Sequence, residues 1–311
     1  DVLEWADHPV GEPGPGEIKV RTAAAGLNFI DVYYRSGLYA APTNPFVPGA
    51  EGAGTVIAVG DGVSDLAVGD RVAYVVGLGS YAEERLLPAD RAVKVPDGID
   101  LEIAAGAMLK GMTVEYLLLR TYPVKKGETI LFHAAAGGVG SMAGRWAKSL
   151  GARVIGTVGS EEKAELARAN GYDEVINYRS EDFVARVKDL TDGKGVDVVY
   201  DSVGKDTFPG SLDCLKPRGM WVSFGQSSGS IEPFPMAVLS QKGSLYATRP
   251  TLFTYIASRD DLVNSAGALF DVIGRGVISI DVNQRYALSD AGQAHEDLEN
   301  RKTTGTTILL P

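Results

Sequence analysis

Ala134-Ala135-Ala136-Gly137-Gly138-Val139-Gly140 sits between two readable segments, and together they decide how the middle of the chain folds. Before it, Thr129-Ile130-Leu131-Phe132-His133 is a short apolar run of strand type. After it, Val139, Met142, Ala143, Trp146, Ala147 and Leu150 recur at helical spacing. They predict a helix from Gly138 to Leu150, with Gly151 placed to end it as a left-handed C-cap. Glycines at a strand-to-helix turn let the chain bend sharply and bring helix and sheet close together. The first-turn N–H groups and the positive end of the helix then face outward. This is the physical signature of a loop that cradles a dinucleotide pyrophosphate. The competing reading is a tight connection with no ligand.

Working outward, the same alternation continues. Arg153 to Val158 reads as a strand, Glu161 to Asn170 as a helix with Gly171 as its cap, and Glu174 to Asn177 as a strand. A helix from Ser180 to Leu190 and strands at Val196–Tyr200, Gly219–Phe224 and Ser244–Thr248 complete the series. Six strands interleaved with helices predict an α/β fold: a doubly wound, Rossmann-type parallel sheet. The first hundred residues read differently. Glu17–Thr22, Thr55–Val59 and Arg71–Val76 are short strands punctuated by Gly60-Asp61-Gly62 and Val68-Gly69-Asp70, which predicts a mostly β domain. The strand-like Thr306–Leu310 is expected to rejoin that domain. The expected organisation is 1–110 for the first domain segment, 111–250 for the Rossmann domain, and 251–311 for a returning segment.

Composition narrows the function. A chain of 311 residues with 45% apolar and 23% charged residues has room for two cores. Forty acidic residues against 30 basic ones give a net charge of −10, which disfavours nucleic acid and anionic lipid as partners. No apolar run reaches the roughly 20 residues of a membrane span. The opening Asp1-Val2-Leu3-Glu4-Trp5 shows no signal-peptide pattern, and the single Cys214 cannot close an internal disulfide, so a cytoplasmic location is expected. One cysteine and three scattered histidines (His8, His133, His295) offer no recognised metal-ligand spacing, so no metal is expected.

The end of the second predicted strand addresses cofactor choice. An NAD site usually places an acid there for the ribose 2′-hydroxyl; this chain has Thr157-Val158-Gly159-Ser160. Ser160 and Lys163 suit a 2′-phosphate and Tyr178 an adenine face, which points to NADPH. Ser160 reads equally as a helix N-cap, and Glu161 and Glu162 are awkward neighbours for a phosphate.

Seven segments taken together carry a resemblance: Gly26–Tyr33, Pro48–Gly54, Gly69–Val72, Leu109–Val114, His133–Gly140, Val199–Gly204 and Gln241–Tyr246. Over essentially its whole length the chain resembles the medium-chain dehydrogenase/reductase superfamily, and within it the zinc-free, zeta-crystallin-like NADPH:quinone oxidoreductases. The resemblance implies a GroES-like catalytic domain in two segments, a Rossmann domain between them, a homodimer, and NADPH-dependent reduction of small quinones. Where zinc-dependent relatives carry a cysteine ligand and a Gly-His-Glu, this chain has Asn28 and Gly49-Ala50-Glu51. The same fold also serves reductases of 2-alkenals and enones, and a non-catalytic nucleotide- or RNA-binding crystallin-like role is a third reading.

Metal-free hydride transfer to a quinone needs the two reactants held together and hydrogen bonds to the forming oxyanion. The resemblance places Asn28 and Tyr33 at this reacting end, with Tyr39 as an acceptor-side aromatic and Lys110 and Thr113 nearby. It assigns Phe29, Ile30, Asp31, Val32, Tyr33 and Tyr116 to the nicotinamide side, and Gly138 and Val139 to the pyrophosphate. Gly159, Ser160, Lys163 and Tyr178 are assigned to the adenosine phosphate. Ser202, Phe224, Gly225, Gln226 and Ser227 follow later strands, and Pro250, Thr251, Leu252 and Arg301 are late contacts. Tyr33 and Tyr34 read equally as packing aromatics, Asp31 as a cap, Arg301 as a surface charge. His133 is either a structural histidine or a proton donor, and Cys214 reads as inert core.

Overall fold

The computed structural model describes residues 2–311. It divides into two compact units, one running up to Met112 and resuming over Ile256–Pro311, the other spanning Thr113–Tyr255. The divisions fall at 112/113 and 255/256, where the sequence reading put 110/111 and 250/251.

The first unit opens with β1 (Glu17–Gly26), α1 (Phe29–Arg35), β2 (Glu51–Val59), β3 (Arg71–Val75), β4 (Glu84–Pro88), β5 (Ala92–Lys94) and α2 (Leu101–Glu115). The division between the units falls within α2. The second unit holds β6 (Thr129–Phe132), α3 (Gly138–Ser149), β7 (Arg153–Val158), α4 (Glu161–Ala169), β8 (Glu174–Asn177) and α5 (Phe183–Leu190). It continues with β9 (Val196–Asp201), α6 (Gly210–Asp213), β10 (Leu215–Ser223), α7 (Ala237–Gln241), β11 (Tyr246–Thr248) and α8 (Leu252–Tyr255). The chain then returns with α9 (Arg259–Gly274), β12 (Val282–Ala287), α10 (Ala291–Glu299) and β13 (Thr306–Leu310).

In the second unit six strands form one sheet in the order β11-β10-β9-β6-β7-β8, every pair parallel. This is the expected doubly wound α/β sheet. The strand order reverses between β6 and β9, so the carboxyl ends of all six strands open on one edge around that switch point. Leu131, Ile155, Val199, Leu212 and Trp221 pack one of its apolar cores. Helix α5 starts at Phe183, later than the predicted Ser180, because the Asp182 carboxylate caps it through the N–H groups of Val184 (2.8 Å) and Ala185 (3.1 Å).

The first unit is built on a seven-stranded sheet, β12-β13-β1-β2-β3-β5, with β4 also paired to β1. Strand β13 lies antiparallel to β1, with Ala25 opposite Leu309. Four elements lack a period that the sequence reading could use. Strands β4 and β5 are short and carry Arg85 and Lys94; α1 is brief; α2 mixes Ala, Gly and Met without a polar stripe. Tyr116–Thr121 continues from α2 as a wider π-type turn.

Candidate active site

In the second unit the loop after β6 is held from several sides. His133 is buried, with Nδ1 2.9 Å from Thr157 Oγ1 and Nε2 3.1 Å from Ser211 Oγ. Burial pushes its pKa down, and both ring nitrogens are engaged, so it is a structural histidine. Gly137 is the N-cap of α3 in extended backbone. The first-turn N–H groups of Gly138, Val139 and Gly140 precede any intrahelical acceptor, as at every helix start. A Cβ on Gly140 would lie 2.3 Å from the Ala134 carbonyl oxygen and 2.8 Å from Ala135 Cα, so the loop closes on the helix more tightly than a side chain permits. The Tyr172 hydroxyl, donating to the Gly140 carbonyl at 2.7 Å, anchors the same turn.

The other candidates of this unit gather along the same edge. Gly159, Ser160 and Lys163 follow β7, Tyr178 follows β8, Ser202 follows β9, Phe224 to Ser227 follow β10, and Pro250, Thr251 and Leu252 follow β11. Ser160 does cap α4, its Oγ accepting from the Lys163 N–H at 3.3 Å. Tyr178 is partly exposed and folds over Gly159, where a Cβ would meet its hydroxyl at 2.6 Å. The loops after β9 and β10 are zipped together by Ser227 N–H to Ser202 C=O (3.1 Å) and Ser228 N–H to Val203 C=O (2.9 Å). Their anchor is Asp201, which the sequence reading did not single out. Its buried carboxylate accepts from the N–H groups of Val203 (2.9 Å) and Gly204 (3.1 Å), and from the hydroxyls of Thr207 and Ser211. Tyr116 stands apart: its ring is buried and stacked on Tyr255 with centroids 4.5 Å apart. Cys214 is fully buried core, its thiol pushed up to about 12 by burial.

In the first unit Asn28, Asp31, Tyr33 and Tyr39 come together around α1. Asn28 is the N-cap, and its backbone N–H donates to Asp31 Oδ2 at 2.8 Å, the reach-back half of a capping box. Tyr33 packs edge-on against Tyr39 (5.2 Å), which also touches Tyr34 (5.8 Å), while Phe29 lies 6.2 Å from Tyr33. Ile30 is half-buried and Val32 buried. Arg301 lies exposed in a left-handed turn (φ 59°) after α10.

A buried polar cluster in this unit centres on Glu51, whose partners were not foreseen. Its Oε1 accepts from Asn28 Nδ2 (2.8 Å) and Lys110 Nζ (2.7 Å), and its Oε2 from the Leu109 N–H (2.6 Å). Glu51 is fully buried and Lys110 only 5% exposed. Gly26 makes room for this carboxylate, since a Cβ there would lie 2.3 Å from Oε1. The donor set does not fit a zinc ion: a lysine ammonium already lies against the one carboxylate, and its remaining partners are an amide and a backbone N–H. Among the described residues, no group of three or more His, Cys, Asp and Glu side chains is placed to hold a metal.

Asp31 is buried inside this unit. Its Oδ2 also accepts from the Tyr81 hydroxyl (3.2 Å), which lies 3.1 Å from His295 Nε2. Burial, aided by the negative charge of Glu51, pushes its carboxyl up to about 7 against the opposing Asn28 N–H. Its ordinary value is 3.8, so between the two the folded chain holds a proton that the unfolded chain has lost. The stability this brings is complete below about pH 4 and is lost as pH rises through 7, on the order of 4 kcal/mol in all. Asp31→Asn should therefore raise the melting temperature relative to the parent at pH 8.5 and change it little at pH 4. A difference that does not vary with pH would contradict this.

Residues 14–97 match the family described as alcohol dehydrogenase GroES-like domain, and residues 138–258 match zinc-binding dehydrogenase. The quinone oxidoreductase of Pseudomonas aeruginosa is 56% identical over 100% of this chain and 96% of its own length. The chain belongs to the quinone oxidoreductase family. Within that family, the crystal structure of Escherichia coli quinone oxidoreductase complexed with NADPH superposes with a TM-score of 0.97 at 50% identity, covering 98% of this chain and 95% of the other. A 2-haloacrylate reductase from Burkholderia is 46% identical over 100% of this chain and 96% of its own. The Rossmann-type and GroES-like architecture is thus shared with quinone oxidoreductases throughout.

Proposed function

We propose that this protein is an NADPH-dependent quinone reductase that passes reducing equivalents to small quinones without a metal. The observation that carries the reading is the edge of the parallel sheet in the second unit. There a glycine turn opens α3 with free N–H groups, and β7 ends in Val158-Gly159-Ser160 with no acid. These residues fit NADPH: Gly138 and Val139 would hold the pyrophosphate, Ser160, Lys163 and Tyr178 the phosphorylated adenosine, and Ser202 with Phe224 to Ser227 the far half. Ser160 capping α4 is compatible, because its hydroxyl can accept from the Lys163 N–H and still donate. When bound, NADPH supplies the hydride.

Asn28 and Tyr33 are the proposed residues of the first unit at the reacting end. The Tyr33 hydroxyl is suited to donate to the quinone oxygen as charge develops there, and the Tyr39 ring beside it to lie along a flat acceptor. A proton from solvent completes the hydroquinone. Phe29, Ile30, Asp31 and Val32 are the proposed nicotinamide-side residues of α1, and Tyr116, stacked on Tyr255, is proposed for the same side from the second unit. The setting is proposed to be cytoplasmic; no helix among the described residues is long and apolar enough to cross a membrane. The open edge at β11, with Tyr246 exposed, supports pairing of two copies, which size-exclusion chromatography with light scattering tests.

NADPH oxidation measured with 1,4-benzoquinone, 9,10-phenanthrenequinone and 2-alkenals, before and after exhaustive chelation, tests the reading. Turnover with quinones that survives chelation is expected. Turnover with alkenals alone would favour the second reading, reduction of an α,β-unsaturated carbonyl, which the 2-haloacrylate reductase relative supports. NADPH is also expected to bind at least tenfold more tightly than NADH, and Lys163→Ala to shrink that ratio. Equal affinities for both nucleotides in the parent would refute the phosphate assignment.

A further inference from the structure

Four side chains of the second unit, Thr157, His133, Ser211 and Asp201, are each at most 2% exposed and join in one unbroken line. Asp201 accepts from the N–H groups of Val203 and Gly204, the hydroxyls of Thr207 and Ser211, and the Trp221 indole N–H (3.3 Å). Its carboxylate has no room for a proton of its own. The single hydroxyl proton of Ser211 therefore goes to Asp201 Oδ2 at 2.8 Å. His133 Nε2, 3.1 Å from Ser211 Oγ, must then carry a hydrogen and donate it. Burial keeps the ring neutral, so Nδ1 is bare and accepts from the Thr157 hydroxyl at 2.9 Å. Every link runs the same way, from Thr157 through His133 and Ser211 to Asp201.

The line crosses the sheet just beyond the last rungs of β6. Phe132 is paired with Gly156 of β7 and with Tyr200 of β9, and the next residue along each strand is His133, Thr157 and Asp201. Each stands at the root of a turn proposed to hold NADPH: Thr157 before Gly159 and Ser160, His133 before Gly138 and Val139, Asp201 before Ser202. The turn after β10 joins them, because the Phe224 N–H donates to the Asp201 carbonyl at 2.8 Å. We propose that these four side chains are positioning residues that set the spacing of the turns, so that one NADPH meets its adenosine and nicotinamide subsites at the same time. The inference rests on the NADPH reading above and deepens it. His133 moves no proton; it is the middle spacer. Ser211 is the link between the adenosine side (β6, β7) and the nicotinamide side (β9, β10). A fixed spacing matters to a ligand that spans both sides, and not to one that occupies a single side.

Cutting the line at two places in the full chain tests this. The variants are Ser211→Ala and Thr157→Val. The readouts are the Kd for NADPH and for 2′,5′-ADP by calorimetric titration, beside the melting temperature. 2′,5′-ADP carries only the adenosine half. Ser211→Ala parts the two sides: it should weaken NADPH about tenfold or more and leave 2′,5′-ADP within about threefold of the parent. Thr157→Val cuts within the adenosine side and should weaken both ligands about tenfold. Where Ser211→Ala has melted at the assay temperature, Ser211→Cys keeps the volume with a weak hydrogen-bonding group and gives the same reading. Long-range proton–nitrogen NMR correlations of His133 in the parent should show a protonated Nε2 and a bare Nδ1. A folded Ser211→Ala variant that loses affinity for both ligands in equal measure, or for neither, overturns the proposal, as does the opposite tautomer. So does a Thr157→Val variant that binds both ligands as the parent does. A parent that binds neither ligand would instead sink the assignment of these turns to the nucleotide, a result distinct from a parent that binds both and a cut that separates nothing.

Discussion

Glu51→Ala is expected to destabilise the first unit by about 3–5 kcal/mol, the range for removing one partner of a buried ion pair. The ammonium of Lys110, 2.7 Å from Oε1 and 5% exposed, would be left charged with no counter-ion. The Leu109 N–H and the Asn28 amide would lose their acceptor in the same step. The pair as a whole is worth much less than the cost of breaking it, because desolvation of both ions opposes their attraction. Removing both charges with Glu51→Gln and Lys110→Met should therefore be far less damaging than Glu51→Ala alone. Thermal unfolding followed by calorimetry decides it: a drop on the order of 10 °C is expected for the single variant. A single variant as stable as the parent would mean that water reaches Lys110 freely.

Gly140→Ala should cripple nucleotide binding more than it disturbs the fold. The new methyl would sit 2.3 Å from the Ala134 carbonyl oxygen and 2.8 Å from Ala135 Cα, and both are backbone, so no flexible side chain can yield. Relief requires the turn to move away from α3, at about 1–3 kcal/mol of stability. That movement displaces the first-turn N–H groups from any phosphate they hold, and hydrogen bonds to a charged group contribute about 1.5–3 kcal/mol each. A loss of NADPH affinity of at least a hundredfold is expected in a protein that still folds. Calorimetric titration beside a melting curve checks both parts, and unchanged affinity would show that the close approach is not needed for binding.

The second unit was legible because its signals are local. Each strand is a short apolar run, each helix has a period, and Gly151 and Gly171 take the left-handed backbone (φ 86° and 90°) that the C-cap reading required. Once the strand order is known, topology alone lines up the turns after β6, β7, β8, β9 and β10, so the candidates there needed no side-chain geometry. The first unit hides its chemistry in distance. Glu51 and Lys110 are 59 positions apart and meet only after β2 has paired with β1 and α2 has packed. One trace of their meeting was visible: Glu51 is an acid within a run of glycines and alanines, a poor site for a solvated charge. The partner glycine, Gly26, could be matched to it only through the register that sets the two residues opposite each other. Strands β4 and β5 escaped because charged edge segments do not alternate cleanly, and α2 because a helix buried on most sides has no polar stripe. Asp201 was inside a quoted motif, yet its role depends on Thr207, Ser211 and Trp221, which no spacing rule connects to it.

The pairing of β13 with β1 has a consequence for how the polypeptide matures. The second unit is a continuous stretch, so its sheet can close while synthesis is still under way. The first unit has to wait. Ile308 and Leu309, both fully buried, reach Ala25 and Gly26 only when nearly three hundred intervening residues have left the ribosome. Until then β1 presents a bare flank where its last partner belongs, and a nascent chain stalled in that interval would be the form most in need of a chaperone.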